Sequence, residues 1–200
     1  MPDTFSILTV CTGNVCRSPL AELLLKSKLS DFPEIRIGSA GIGALVGRGM
    51  TPQAQSLALS QGVPDPEVHR AKQLLAEMVQ ESSLVLAMDR SHRKAVAELV
   101  PRKSKCVFTV REFARLVGAT SDRDLQLEVQ SSGATVKERL DAAVEAARLS
   151  RSELACLPMP EEDDVVDPFG KSDQIYTKSG SQLIPAIDVV AAYLIHALSV

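Results

Sequence analysis

The segment Phe5-Ser6-Ile7-Leu8-Thr9-Val10, followed directly by Cys11-Thr12-Gly13-Asn14-Val15-Cys16-Arg17-Ser18-Pro19, sets the architecture of this 200-residue chain. Its first part is a β-rich apolar run, which predicts a buried strand. A tight loop should follow, because glycine and asparagine tolerate positive φ values. Ser18 as an N-cap and Pro19 as a first helical residue then predict the start of a helix. The order strand, tight loop, helix indicates an α/β unit.

The predicted loop has the features of an anion site. Its successive backbone N–H groups can converge on a small anion, and the positive end of the following helix points to the same place. Arg17 adds a planar guanidinium that can hold two phosphate oxygens. Such electropositive surroundings favour the thiolate form of Cys11. We therefore predict a nucleophile beside a phosphate site formed by Thr12, Gly13, Asn14, Val15, Cys16, Arg17 and Ser18.

The remaining cysteines and the ends of the chain argue against several other classes. Cys106 and Cys156 have no paired spacing and the three histidines are scattered, so we expect neither a zinc site nor any other cofactor. No export leader is evident, and no run reaches the roughly 18 apolar residues of a membrane span. We expect a cytoplasmic protein without membrane insertion, whose cysteines are reduced thiols.

Composition agrees with a small soluble enzyme that has one core. With 45% hydrophobic and 24% charged residues, the chain should form a single domain over residues 1–200. A formal net charge of −3 argues against nucleic-acid binding, which requires a basic excess. Since aromatic residues make up 4% and tryptophan is absent, the core should be aliphatic.

Apolar strand patterns alternate with helical patterns along the chain. Continuous apolar strands that alternate with helices predict a parallel sheet covered on both faces, here a three-layer α/β/α fold with a four-stranded sheet. The predicted strands are 5–10, 35–38, 84–88 and 106–110, and the predicted helices are 19–30, 53–61, 71–81 and 91–99 with a short one after 110. Ligands of such sheets bind at the carboxyl ends of the strands, where the Cys11 loop lies.

Five ordered blocks of the sequence resemble the low-molecular-weight protein tyrosine phosphatases, and the resemblance implies their phosphotyrosine phosphatase I-like fold. The blocks are Cys11 to Pro19, Ser39 to Gly47 with Thr51 to Ala54, His69 to Leu74, Leu84 to Asp89, and Val166 to Gly170. The resemblance covers Phe5 to about Leu116 and Val165 to the C-terminus. The residues of the second block most resemble those of bacterial members that act on autophosphorylating tyrosine kinases of capsule and exopolysaccharide export.

This resemblance implies a protein-tyrosine-phosphatase that works through a cysteinyl-phosphate intermediate. Cys11 would attack phosphorus, Arg17 and the loop amides would hold the phosphate oxygens, and no metal is needed. Asp167 would protonate the leaving phenolate and then activate water. The partner would be a phosphotyrosine-bearing protein, such as an autophosphorylated tyrosine kinase, and we expect a monomer or weak dimer.

Other positions take supporting roles by the same resemblance. Asn14, Ser39 and His69 would hydrogen-bond one another and hold the loop in shape. Ser18 would stabilise the Cys11 thiolate, and Cys16 would form a reversible disulfide with Cys11 under oxidation.

Substrate choice depends on the walls of the predicted cleft. Val15, Leu45 and Phe169 would sandwich an aromatic ring. Protein-arginine phosphatase is the alternative within the same mechanism, since that relative also has Asp-Pro-Phe-Gly but carries threonine where this chain has Val15. Valine lacks the hydroxyl that would orient a guanidinium, which favours tyrosine. An arsenate reductase would need a further close cysteine pair between Leu84 and Lys105, and the sequence has none there. An inactive phosphate-binding module would not need Cys11, Arg17 and Asp167, which are all present.

The segment from about 118 to 162 departs from the family, which crosses this region in far fewer residues. Ser121 to Gly133 is predicted to be irregular, and Ala134 to Arg151 an amphipathic helix. We expect a solvated insertion or flexible lid rather than an element that docks a partner. The run from Glu161 to Asp164 is expected to be a solvated cluster of charges.

Overall fold

The computed structural model describes residues 3–152, 154 and 159–200, so Cys156 lies outside the described residues. A four-stranded parallel sheet has the order β2-β1-β3-β4. The strands are β1 (Phe5–Cys11), β2 (Ile35–Gly41), β3 (Leu84–Ala87) and β4 (Val107–Thr109). All four end at the same edge of the sheet, where Cys11 pairs with Gly41 and Val10 with Ala87.

Helices follow and flank the strands. Their bounds are α1 (Arg17–Lys28), α2 (Pro52–Ser60), α3 (Ala76–Glu81), α4 (Arg90–Leu99), α5 (Val110–Ala119), α6 (Asp122–Ser131), α7 (Val136–Leu149) and α8 (Asp173–Ser199). Short 3₁₀ turns occupy Pro66–Val68, Pro101–Cys106, Ser150–Ser152 and Pro160–Asp163.

The two faces of the sheet bury separate hydrophobic clusters, because side chains alternate along β1. Phe5 and Ile7 pack into the larger cluster with α1, α5, α7 and α8. Leu8 and Val10 pack into the smaller one with α3 and α4. This confirms the predicted α/β/α layers. The core is mostly aliphatic, as expected, but it also buries phenylalanines completely, with the Phe108 and Phe113 rings 5.0 Å apart.

The predicted helix over 71–81 is wrong in its first part. Residues 72–74 lie extended beside the end of β2, where Gly41 N donates to Lys72 O and Leu74 N donates to Gly41 O. The outer edge of β2 offers backbone N–H and C=O groups that pair with no other strand of the described residues. Hydrogen bonds to these groups satisfy the backbone of residues 72–74 in place of the hydrogen bonds of a helix. The helix α3 therefore begins at Ala76.

The helices between residues 122 and 149 are packed on the core, contrary to the expected solvated segment or lid. Residues predicted to be irregular form α6, which Ser121 caps by accepting from Asp124 N at 3.1 Å. Leu125 and Val129, one helical turn apart, are buried in the larger cluster, and the helix packs on α7. A predicted amphipathic helix is confirmed as α7, whose buried side includes Leu140. The described part of this segment is therefore an extra helical layer of the core.

The last helix, α8, was not predicted as a helix and is central to the larger cluster. Leu183, Ile187, Val190 and Leu194 are completely buried, and the helix contacts α1, α5 and α7. By length and composition alone it could cross a membrane, although 44% of its most apolar window is buried inside the protein. A core helix passes the same test, and its buried face makes α8 such a helix.

Candidate active site

The loop between β1 and α1 turns its carbonyl groups outward. The carbonyl oxygen of each residue from Cys11 to Cys16 accepts a hydrogen bond from a group outside the loop. The donors, in the chain order of these carbonyls, are Ile42 N, Gly43 N, Leu45 N, His69 Nε2, Thr51 N and Leu20 N. A trans peptide points its N–H away from its C=O. The amides of residues 12–17 therefore point inward, and the loop forms a cradle of donors with one positive helix end beneath it.

Cys11 lies at the base of this cradle. Its Sγ is 2.9 Å from Ser18 Oγ and accepts from Asn14 N at 3.3 Å. Both contacts stabilise negative charge on the sulfur. Ser18 was predicted to cap the helix, but α1 begins at Arg17 and the hydroxyl is used by the thiol instead. The cap prediction is wrong because the N-cap residue of α1 is Cys16, two residues before Ser18.

Asn14 holds the loop in a strained shape. It has φ of 54°, in the left-handed region, and is completely buried. Its Nδ2 donates to Ser18 Oγ at 3.0 Å and to Ser39 Oγ at 2.8 Å, while its Oδ1 accepts from Lys72 N at 2.8 Å. These bonds fix a backbone conformation that would otherwise cost energy.

Ser39 and His69 extend this network to a buried carboxylate. Ser39 Oγ donates to Glu22 Oε2 at 2.5 Å, and His69 Nε2 donates to the Asn14 carbonyl at 2.9 Å. Burial lowers the pKa of His69, although the bond to Asn14 and the nearby Glu22 oppose that shift. The structure thus places Asn14, Ser39 and His69 in one hydrogen-bond network, which also includes Glu22, a residue that the sequence analysis did not single out.

Arg17 is nearly buried, with 3% of its surface exposed, and both terminal nitrogens are engaged. Nη1 donates to Asp89 Oδ2 at 3.1 Å and to Val165 O at 2.8 Å. Nη2 lies 3.1 Å from Asp167 Oδ2. The guanidinium plane is therefore fixed by contacts from distant parts of the chain.

Asp167 reaches the cleft because the segment before it is anchored. Val165 N donates to Met88 O at 2.8 Å, next to the end of β3. Asp163 pairs with Arg115 at 2.9 Å, and Asp164 pairs with Arg90 at 3.2 Å. The expected solvated charge cluster at 161–164 is thus wrong for these two residues, whose ion pairs position the loop that carries Asp167.

A single cleft collects the predicted groups. Its lining residues are Cys11, Thr12, Gly13, Val15, Cys16, Arg17, Gly43, Leu45, Asp167 and Phe169. Val15 is buried, whereas Phe169 is 50% exposed at the rim. All three predicted wall residues, Val15, Leu45 and Phe169, therefore line the same opening above Cys11.

Cys16 lies beside Cys11 in the cleft, and both are free cysteines. Its Sγ is 3.3 Å from Thr51 Oγ1 and 3.5 Å from Tyr176 Oη. Burial raises the pKa of Cys16, with the hydrogen bonds from Thr51 and Tyr176 opposing the shift. Burial also raises the pKa of Tyr176 to about 12. Cys16 is therefore a protonated thiol at neutral pH.

Sequence reasoning missed Asp89 and His92, which support the cradle from the side of β3. His92 Nδ1 lies 2.9 Å from Asp89 Oδ2, and His92 Nε2 is 2.8 Å from Thr12 Oγ1. Burial favours a raised pKa for Asp89, but hydrogen bonds from His92 and Ser91 outweigh it and hold the pKa well below its usual range. Asp89 follows a buried parallel strand, the position where site residues gather, and that signal was available in the sequence.

Across the described ranges 3–152, 154 and 159–200, no three His, Cys, Asp or Glu side chains are grouped closely enough to hold a metal ion.

Comparison of the sequence with known proteins finds a family of phosphatases. A family model described as low molecular weight phosphotyrosine protein phosphatase matches residues 6–148. The low molecular weight protein-tyrosine-phosphatase Wzb of Salmonella typhi is 44% identical over 95 residues, covering 48% of this chain and 61% of that relative. The chain thus spans about three-fifths of the length of that curated relative. The residues that the family model matches end before Asp167, which the structure places beside Arg17.

Solved structures of two activities resemble the whole chain equally. The YwlE arginine phosphatase of Geobacillus stearothermophilus has a TM-score of 0.64 and 26% identity, covering 96% of this chain and 94% of its own. The tyrosine phosphatase AmsI of Erwinia amylovora has a TM-score of 0.64 and 26% identity, covering 98% and 95%. Overall shape therefore does not distinguish the two substrate classes.

Proposed function

Because the chain belongs to the low molecular weight phosphotyrosine protein phosphatase family, we propose that it hydrolyses phosphotyrosine on proteins through a cysteinyl-phosphate intermediate. The observation that carries this proposal is the convergence of Cys11, Arg17 and Asp167 on one cleft above an inward-facing cradle of amides. Each group has a chemical role in phosphoryl transfer, and none of these roles requires a metal.

In the first step, Cys11 Sγ attacks phosphorus in line with the leaving phenolate oxygen. The loop amides and Arg17 hold the three non-bridging oxygens, where negative charge is spread in the transition state. Since Asp89 and Val165 O fix Nη1 of Arg17, the guanidinium needs little reorganisation when phosphate binds. A bond forms between sulfur and phosphorus while the bond from phosphorus to the phenolate oxygen breaks.

Asp167 supplies and then removes a proton. In its acid form it protonates the leaving phenolate, and as a carboxylate it then takes a proton from the water that attacks the cysteinyl phosphate. Its side chain is 52% exposed and lies on Arg17 Nη2 at 3.1 Å, so it is at the mouth of the cleft where a leaving group would depart. The second step releases inorganic phosphate and restores the Cys11 thiolate.

Tyrosine is favoured over arginine by the walls. Val15 and Leu45 offer apolar surface to an aromatic ring, and Val15 has no hydroxyl to bind a guanidinium. Protein-arginine phosphatase is kept as the second candidate, because the YwlE structure resembles the chain as well as a tyrosine phosphatase does. The kcat/KM ratio for phosphotyrosyl and phosphoarginyl peptides tests the choice, and a preference for phosphoarginine would overturn the tyrosine assignment.

We further propose a cytoplasmic site of action on an autophosphorylated tyrosine kinase of polysaccharide export. The resemblance of the second sequence block to bacterial phosphatases of that kind supports this partner. Burial of the apolar face of α8 in the core supports a protein without membrane insertion.

Hydrolysis of p-nitrophenyl phosphate in the presence of a chelator tests the mechanism. Activity should be inhibited competitively by vanadate and lost in Cys11→Ser and Arg17→Ala. Arg36→Gln is a suitable control, because Arg36 is exposed and lies near the opposite end of β2. Activity that persists in either site variant would contradict the proposed mechanism.

A further inference from the structure

A groove adjoins the cleft and continues its rim. Its lining residues are Val15, Leu45, Arg48, Gly49, Met50, Thr51, Pro52 and Phe169. The wall residues Val15, Leu45 and Phe169 line both the cleft and the groove. A polypeptide whose phosphorylated side chain enters the cleft would therefore lay its neighbouring residues across this groove.

Arg48 is the one charged side chain among these lining residues, all of which the structure describes, and it is exposed. It forms no ion pair with any carboxylate of the described part of the chain. Arg70, close to the same loop, differs because its Nη1 donates to the carbonyl oxygens of Glu67 and His69. The groove thus presents one guanidinium that no carboxylate of the described residues pairs with.

The position of Arg48 relative to the cradle is fixed by the backbone. Arg48 N donates to Leu45 O at 3.0 Å, which closes a turn whose third residue, Gly47, has φ of 79°. A positive φ at this place in a turn favours glycine. Leu45 N donates to Gly13 O, and Gly47 and Arg48 both bond to Ala71 through backbone groups. The turn that carries Arg48 is therefore tied directly to the phosphate loop.

We propose that Arg48 and this groove form a specificity subsite that binds an acidic side chain close to the phosphotyrosine of a protein substrate. The proposal rests on the tyrosine phosphatase activity proposed above and extends it to sequence preference. Guanidinium groups bind carboxylates with paired hydrogen bonds, and the fixed turn reduces the entropy lost on binding. A chain with a net charge of −3 offers no general attraction for acidic partners, so the preference would be local to Arg48.

Paired phosphotyrosyl peptides test this subsite. In one series a single glutamate is moved through the three positions before and the three after phosphotyrosine, and each peptide is matched by one with glutamine at the same place. The wild-type protein should prefer the glutamate peptide by about two- to fivefold in kcat/KM at one or two positions, as expected for an exposed ion pair. The preference should shrink at high salt, because exposed charges are screened.

Arg48→Gln should reduce the ratio for glutamate over glutamine to about one, and Arg48→Glu should reverse it. Arg36→Gln removes an equally exposed charge near the far end of β2 and should keep the ratio of the wild type. Equal rates on every matched pair, or a preference that survives Arg48→Gln, would overturn the subsite and leave the phosphatase activity standing. No hydrolysis of any phosphotyrosyl peptide would overturn both proposals.

Discussion

Replacing Asn14 with alanine removes the central connector of the phosphate loop. Asn14 makes hydrogen bonds to Ser18 Oγ, Ser39 Oγ and Lys72 N, at 3.0, 2.8 and 2.8 Å. The serine hydroxyls keep other partners, Ser39 through Glu22, so each lost bond should cost about 1 kcal/mol. Lys72 N is left without this acceptor, which should cost about 1–3 kcal/mol.

Backbone strain adds to this cost. Asn14 has φ of 54°, and an alanine in that region costs about 1 kcal/mol more than an asparagine that is held there by side-chain bonds. We expect Asn14→Ala to lower the free energy of unfolding by about 4–6 kcal/mol in total, a large share of the roughly 5–15 kcal/mol typical of a domain. Asn14→Gly loses the same bonds without the strain and should recover about 1 kcal/mol.

Urea unfolding of the wild type and both variants measures these differences. The same variants should lower kcat/KM for p-nitrophenyl phosphate by more than about tenfold, because Ser18 Oγ, which contacts Cys11 Sγ, loses its bond to Asn14. A loss below about 1 kcal/mol in Asn14→Ala would refute the view that Asn14 holds the loop. Equal losses in the alanine and glycine variants would refute the strain component.

Three further perturbations address Asp167, His69 and Cys16. Asp167→Asn should lower kcat for phenyl phosphate by about 10² but much less for a substrate with a more acidic leaving phenol, and equal losses would reassign the acid. Burial lowers the pKa of His69 below the value of about 6.5 in an unfolded chain, so the unfolded state binds the proton more readily. The free energy of unfolding should therefore fall as pH decreases from about 6.5 towards the pKa of the folded state. Urea unfolding at successive pH values should show this loss in the wild type and not in His69→Gln. Peroxide should oxidise Cys11 to a sulfenic acid, which the Cys16 sulfur converts to a disulfide with release of water. Dithiothreitol should therefore restore activity to the oxidised wild type. It should not restore activity to Cys16→Ser, in which the oxidation of Cys11 continues to irreversible products.

Local chemistry explains why so much of the site was predictable. The segment from Cys11 to Arg17 requires its residue types for reasons that act within a few bonds, namely positive φ, helix polarity and a nucleophile beside a cation. Apolar runs similarly predicted β1, β3 and β4, because continuous hydrophobic strands occur where both sheet faces are covered. These features depend on neighbours in sequence, so one sequence suffices to recognise them.

The wrong predictions depend on contacts that the local pattern does not show, with residues distant in sequence or, for Ser18, with residues four and seven positions away. Residues 72–74 have a helical pattern but pair with Gly41, and Ser18 was placed as a cap although its hydroxyl is used by Cys11 and Asn14. In each case a tertiary contact outweighs a weak local preference. His92 likewise has no pattern that reveals its contact with Thr12, which lies on another loop.

The acidic run before Asp167 shows how such distant contacts also serve the proposed chemistry. Polarity alone predicts solvent exposure there, yet Asp164 pairs with Arg90 at the start of α4, and Asp163 pairs with Arg115 on α5. Arg111, also on α5, donates to Asp164 O at 2.9 Å, and Thr109 Oγ1 at the end of β4 donates to Asp163 O at 2.7 Å. These bonds fasten the segment to elements at the carboxyl edge of the sheet, where Cys11 also lies. Asp167 is therefore held beside Arg17 by contacts that do not involve the extra helices α6 and α7.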